Sequence, residues 1–233
     1  MYGRPLYEAA LLKILGHQTR TYNYTSSNPP QTTMWNAILG MNNASVFAMS
    51  KGQLANAITC LRKTLELLAA VWDNYRTDIR QKIERQPDAA SLISVAPFAN
   101  DSQQNISSSS LSAFVYDCGF IISATPTNNL SHSELDILHE AAMLCLSATV
   151  IYNTALVYHR MALSAQDNRN LINFAAAGYT QAIIISHMEI QKQEMGSYWN
   201  KESKAIIAIA VASNNNLGQL YFDLMNDHHR GRR

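Results

Sequence analysis

The chain has 233 residues, enough to bury a sizeable core without metals or disulfides. It is 47% hydrophobic and 15% charged with a formal net charge of +1, so it lacks the electrostatic footprint of a nucleic-acid binder, and its partners are not chosen by bulk charge. The three cysteines, Cys60, Cys118 and Cys145, have neither metal-ligand nor redox spacing, which disfavours a disulfide framework and makes a reducing, intracellular compartment the expectation.

At the amino end, Met1 to Gly16 holds Arg4 and Lys13 but only short apolar pieces around Glu8. That is a poor secretory signal, so a cytoplasmic chain is expected, with nucleus and organelles left open. Pro5 to Leu15 is a short amphipathic segment suited to cover the first long helix, and a polar stretch with Pro29-Pro30 separates the two. Helical periodicity then runs over about 35–50 and 53–85. A long insert follows, about 86–132, with Pro87, Pro97, Pro126 and the polar run Asp101 to Ser110. Within it, Phe114-Val115-Tyr116-Asp117-Cys118-Gly119-Phe120-Ile121-Ile122 has strand-like composition. A structureless loop of that length is unusual in a compact domain. Leu92, Ile93, Val95, Phe98 and the strand-like piece therefore predict that much of the insert packs back onto the helices.

Three more helical stretches cover about 133–165, 170–195 and 201–226, and proline is absent from all five. In the first of these, Ala141 to Tyr158 contains no charged residue and reaches the lower length limit of a membrane span. Ser147, Thr149, Asn153 and Thr154 interrupt it, and His139, Glu140, His159 and Arg160 bracket it. A helix apolar on all sides is also what the middle of a helical bundle requires, so no membrane span is expected.

Comparing the helices with one another reveals self-similarity, the mark of repeat architectures. Asn42-Asn43-Ala44-Ser45-Val46-Phe47-Ala48, Tyr152-Asn153-Thr154-Ala155-Leu156-Val157-Tyr158 and Asn215-Asn216-Leu217-Gly218-Gln219-Leu220-Tyr221 align, each with an asparagine before a small pair. Ala57-Ile58, Leu61 and Thr64-Leu65 in one following helix and Ala175-Ala176, Tyr179 and Ala182-Ile183 in another keep a second recurring spacing, alanine followed four residues on by an aromatic or leucine. On these residues the chain resembles the tetratricopeptide-repeat family, and more narrowly the short proteins of that kind found in diatoms. Leu217-Gly218-x-x-Tyr221 matches the family's first-helix signature, and Gly52 and Leu54 fall at its inter-helix turn. The resemblance covers about 41–67, 148–186 and 211–225. It implies an all-α solenoid of antiparallel helix pairs with a binding surface on its concave face. Ala44-Ser45 and Thr154-Ala155 replace the family's leucine and glycine, and the last match is a first helix without a partner. That helix is expected to be a cap with a polar outer face.

The expected organisation is one helical domain: an amino-terminal segment 1–34, a helix pair 35–85, the insert 86–132, a second pair 133–195, the cap 201–226 and a basic tail 227–233. Small residues at Ala44, Ser45, Ala155 and Gly218 would let helix backbones approach, with Leu61, Tyr179 and Tyr221 filling the space between layers. Tyr158 completes the recurring set. By the resemblance, Asn43, Asn153 and Asn216 would face the concave groove, where each amide offers a donor and an acceptor to an extended peptide. The alternative is that they bond inside the repeat. Only Lys51 and Arg160 are basic residues nearby, too few for a carboxylate clamp, which leaves Arg160 as a single candidate partner contact.

No catalytic chemistry emerges. His17, His132, His139, His159, His187, His228 and His229 are scattered without an acid at zinc-site spacing, although Asp227 with His228-His229 invites adventitious metal. Glu134, Asp136 and Glu140 favour a helix dipole at its start. With nine glycines in the chain and no nucleophile elbow or phosphate loop, neither an enzyme nor a cofactor is expected. The leading functional expectation is a protein- or peptide-binding scaffold using the concave face. A concave face filled by the chain itself, with no groove left, would sink it, and the insert is placed to lie across that groove. The alternative is a subunit packed permanently into a larger homo- or hetero-oligomeric assembly. An RNA contact through Arg230-Gly231-Arg232-Arg233 is a third, less favoured reading.

Overall fold

Alanine- and leucine-rich stretches without proline form five helices: α1 (Gln31–Ser50), α2 (Leu54–Gln81), α3 (His132–Ser164), α4 (Arg169–Glu194) and α5 (Lys201–Arg230). The computed structural model describes residues 31–81, 92–98, 118–125, 132–164, 169–194 and 201–230. The segment Pro5 to Leu15, the polar run Asp101 to Ser110 and tail residues 231–233 lie outside the described residues. Helix ends read from periodicity agree with these bounds to within four residues.

The chain reverses between α1 and α2 at Gly52, whose φ of 72° suits a residue without Cβ. Gln53 N–H donates to Ala48 C=O at 2.9 Å and Gly52 N–H to Met49 C=O at 3.0 Å, the paired bonds of a Schellman cap. Gly52→Ala forces a side chain into left-handed backbone and is expected to cost about 1–2 kcal/mol, read as a lower urea midpoint.

Helix α3 packs against every other element, and this explains its composition. Ala142 through His159 are all buried, so an apolar residue is required at every angle around the axis. Among the described residues it is the one helix long and apolar enough to cross a bilayer, over Ala142–Ser164, and its apolar window is wholly buried in the fold. Its buried hydroxyls are satisfied internally. Ser147, Thr149 and Thr154 donate to the carbonyls of Met143, Cys145 and Val150 one turn back, at 2.7, 2.8 and 2.7 Å. Trp72 Nε1 reaches Ser147 Oγ at 3.0 Å, tying α2 to α3.

Helix α4 approaches α3 tightly at Gly178. A Cβ added at Gly178 would lie 2.7 Å from Ala155 Cβ and 3.3 Å from Ala155 Cα. Gly178→Ala is expected to lower stability by about 1–3 kcal/mol despite its better helix propensity. Adding Ala155→Gly returns the missing space, and urea unfolding of the double variant should recover most of the loss.

Several expected packing positions behave differently. Nothing lies within 4 Å of a Cβ built at Gly218, Ala44 is exposed, and Tyr221 is 53% exposed. These three point away from the neighbouring helix, so Gly218 is no site of close approach. Ser45, Ala57, Leu61, Ala155, Tyr158, Ala175, Tyr179 and Ala182 are buried, and Leu217 is half-buried. The expected polar outer face of α5 also carries Val211, Tyr221 and Phe222, the last 60% exposed.

The insert contributes a hairpin where a single strand-like piece was expected. Strands β1 (Leu92–Pro97) and β2 (Phe120–Thr125) pair antiparallel, with Val95 opposite Ile122 and Pro97 opposite Phe120. The strand thus starts at Phe120, and residues 114–117 lie outside the described residues. Phe98 N–H donates to Gly119 C=O at 2.9 Å, so by alternation Pro97 opposite Phe120 is a non-hydrogen-bonded pair. Proline's missing donor is harmless there, which is why a strand tolerates it. The hairpin contacts α1 through β2, α5 through β1 and α3 through both strands.

Candidate functional site: an amide clamp on an extended strand

Asparagine is a poor residue for a helix interior because its amide competes for backbone groups. In α1 and α3 the amides are directed off the helix and onto the main chain of β2. Asn43 Oδ1 accepts from Ile122 N–H at 2.8 Å while its Nδ2 donates to Ile122 C=O at 2.7 Å. Asn153 repeats the arrangement two residues earlier, with Oδ1 accepting from Phe120 N–H and Nδ2 donating to Phe120 C=O, both at 2.8 Å. Asn42 joins the two. Its Nδ2 donates to Phe120 C=O at 3.1 Å and to Asn43 Oδ1 at 3.2 Å, and its Oδ1 accepts from Asn153 Nδ2 at 2.9 Å.

Strand alternation explains why two asparagines suffice. Gly119 faces β1 through its carbonyl, so Phe120 and Ile122 turn their main-chain groups to the opposite edge. The asparagines occupy that edge as a neighbouring strand would, and each amide closes a two-bond ring with the N–H and C=O of one residue. The side chains of Phe120 and Ile122 are buried against the helices, whereas Ile121 is half-buried and Ser123 exposed.

Asn216 is the third aligned asparagine. Its Nδ2 donates to the hydroxyls of Tyr152 at 3.1 Å and Tyr179 at 3.3 Å. Tyr152 in turn meets the Phe120 ring edge-on, centroids 5.1 Å apart at 66°. Asn216 therefore supports the wall of the Phe120 pocket. His159 Nδ1 lies 3.3 Å from the Tyr179 hydroxyl, and burial lowers the His159 pKa to about 4. Burial pushes the Tyr179 hydroxyl up, opposed by the Asn216 hydrogen bond. Both rings are neutral near pH 7, and Nδ1 and the Tyr179 hydroxyl share one hydrogen bond.

Arg160 lies beside the clamp, lining a shallow pocket with Val46, Met49, Ser50, Phe98 and Cys118 at the Gly119 end of the strand. Lys51 sits over the Phe47 ring at 5.4 Å. Among the described residues no three His, Cys, Asp or Glu side chains gather where a metal could bind. The asparagine repeat made Asn43 and Asn153 visible as candidates. Gly119 and Gly178 carried no repeat signal, and the only hint of the former was a glycine beside an aromatic in the strand-like piece.

No family model, curated protein or solved structure matches the chain.

Proposed function

We propose that the chain is a non-enzymatic binding module of tetratricopeptide-like build, in which α1, α3 and α5 line a concave face that holds extended polypeptide. The observation that carries this reading is the pair of two-bond rings made by Asn43 and Asn153 with the main-chain N–H and C=O of Ile122 and Phe120, the outward-facing residues of β2. Such contacts recognise main chain of any sequence and are the means by which sheet-edge binders hold a peptide. Here the chain's own β2 fills the clamp, which counts against a free groove, so the reading requires a partner to displace β2. A two-stranded hairpin has little stability of its own, which favours exchange.

The same self-occupancy motivates a second reading, a subunit whose hairpin is a permanent part of the core and whose exposed apolar residues, Phe47, Val211, Tyr221 and Phe222, meet other subunits. Native-state hydrogen exchange separates the two. A binding module requires the Phe120 and Ile122 amides to exchange through local opening, at a free energy clearly below that of global unfolding. Exchange of both only with global unfolding would favour the permanent subunit.

A further inference from the structure

Helices α3 and α5 share an aligned register but not the same cover. Two residues past its asparagine, α3 has Ala155, which meets Gly178 of α4, and three further on Tyr158, whose ring centroid lies 5.3 Å from that of Phe174 on α4. The corresponding residues of α5 are Gly218 and Tyr221. Within the chain, nothing lies within 4 Å of a Cβ built at Gly218, and Tyr221 is exposed. Asn153 and Asn216 are both buried, and a residue two positions on lies about 200° around the helix from them. The seat that α4 fills on α3 is therefore on the outer side of α5, where no described residue fills it.

This open seat has both a hole and a knob. Gly218 and Phe222 are one turn apart on the same face, the first without a side chain and the second 60% exposed. From Ala205 to Phe222 the helix carries no charged residue, so the face asks for an uncharged helix, and α5 is itself one. A two-fold axis perpendicular to α5 sets a second α5 antiparallel to it, the sense in which α4 runs along α3, and brings each Phe222 ring over the other copy's Gly218. A face complementary to itself closes with two molecules and covers both aromatic rings at once. We infer that the outer face of α5 is a homodimer interface, in which a second copy of this chain takes the place on α5 that α4 takes on α3, with Phe222 of each copy seated on Gly218 of the other. This inference rests on the subunit reading above and adds which surface is used and by what partner.

Sedimentation equilibrium of the full chain, over concentrations of about 1 to 200 μM, tests this. The wild type is expected to show a monomer–dimer equilibrium. Gly218→Leu fills the hole and Phe222→Ala removes the knob, and each should weaken the dimer at least about tenfold, as loss of a buried aromatic contact implies. Both positions are exposed in the single chain, so circular dichroism should show the helicity of the wild type. The double variant Gly218→Phe, Phe222→Ala exchanges knob and hole across the two-fold axis and should restore the dimer, an outcome that a general loss of apolar surface would not give. If Gly218→Leu is not helical, Phe222→Ala and the double variant decide the matter by the same outcomes. A wild-type chain that stays monomeric at every concentration would overturn the inference and leave the seat to an occupant other than a second copy. A dimer that neither single substitution weakens would also overturn it, while the subunit reading would stand on another surface. Single variants that weaken the dimer without recovery in the double variant would overturn the seating of Phe222 on Gly218.

Discussion

Asn153→Ala is expected to lower the stability of the fold by about 2–5 kcal/mol, the largest effect of any single truncation in the clamp. The substitution removes three hydrogen bonds from a fully buried amide. Phe120 N–H is left without its acceptor, and Asn42 Oδ1 loses its donor, at about 1–3 kcal/mol for each buried group that water cannot reach. Phe120 C=O keeps the longer bond from Asn42, which limits the loss. Asn43→Ala should cost less, because its site is only part-buried and water can replace the amide. Urea unfolding of the two variants checks the order, and Asn153→Leu, which restores volume without the bonds, should not recover stability. A loss below about 1 kcal/mol for Asn153→Ala would mean that the side-chain pockets hold β2 and that the amides only orient it.

Between pH 7 and pH 4 the fold is expected to lose about 3 kcal/mol through His159 alone. The ring is buried and neutral in the folded chain, with a pKa lowered to about 4 from 6.5. Below pH 6.5 the unfolded chain takes up a proton that the folded chain does not, so the unfolded state gains relative stability as pH falls. The stabilising contribution is complete above pH 6.5, shrinks through the interval and stops shrinking once the folded ring also protonates near pH 4. Protonation makes both ring nitrogens donors and so bears on the contact with the Tyr179 hydroxyl, which links the ring to Asn216 and Tyr152. Urea midpoints of the wild type and His159→Phe at both pH values isolate the effect. The variant should show a shallower acid loss by about that amount, and parallel pH profiles would exclude His159 as the cause.

The helices were legible in the sequence because their signal is local. Alanine, leucine and the absence of proline mark all five, and the uncharged run around Asn153 gave α3 away as a central helix. What the asparagines bind was not legible, because the target is distant in the chain. Asn43 and Ile122 are 79 residues apart, and no periodicity within a helix encodes which strand will come to lie on it. β1 was hidden for a related reason, since a six-residue strand ending in proline carries little pattern without its partner. The repeat signature misdirected attention to Gly218, whose face of α5 looks outward, while Gly178 makes the tight approach. Motif spacing identifies a turn of helix; the facing element decides what that turn touches.

The bond from Asn153 to Asn42 joins residues 111 positions apart and depends on β2 lying between them in sequence and beside them in space. During synthesis, α1 and α2 can pair as soon as both have been made, since a three-residue turn joins them. Their shared inner face then stays uncovered until the hairpin and the whole of α3 have followed. Local helix pairing is fast and closure of such long loops is slow, so the central layer sets the pace of folding. A chain interrupted before Asn153 would present the open face of α1 to whatever extended segment is nearby, which makes the early life of this protein the period of its greatest exposure to unintended pairing.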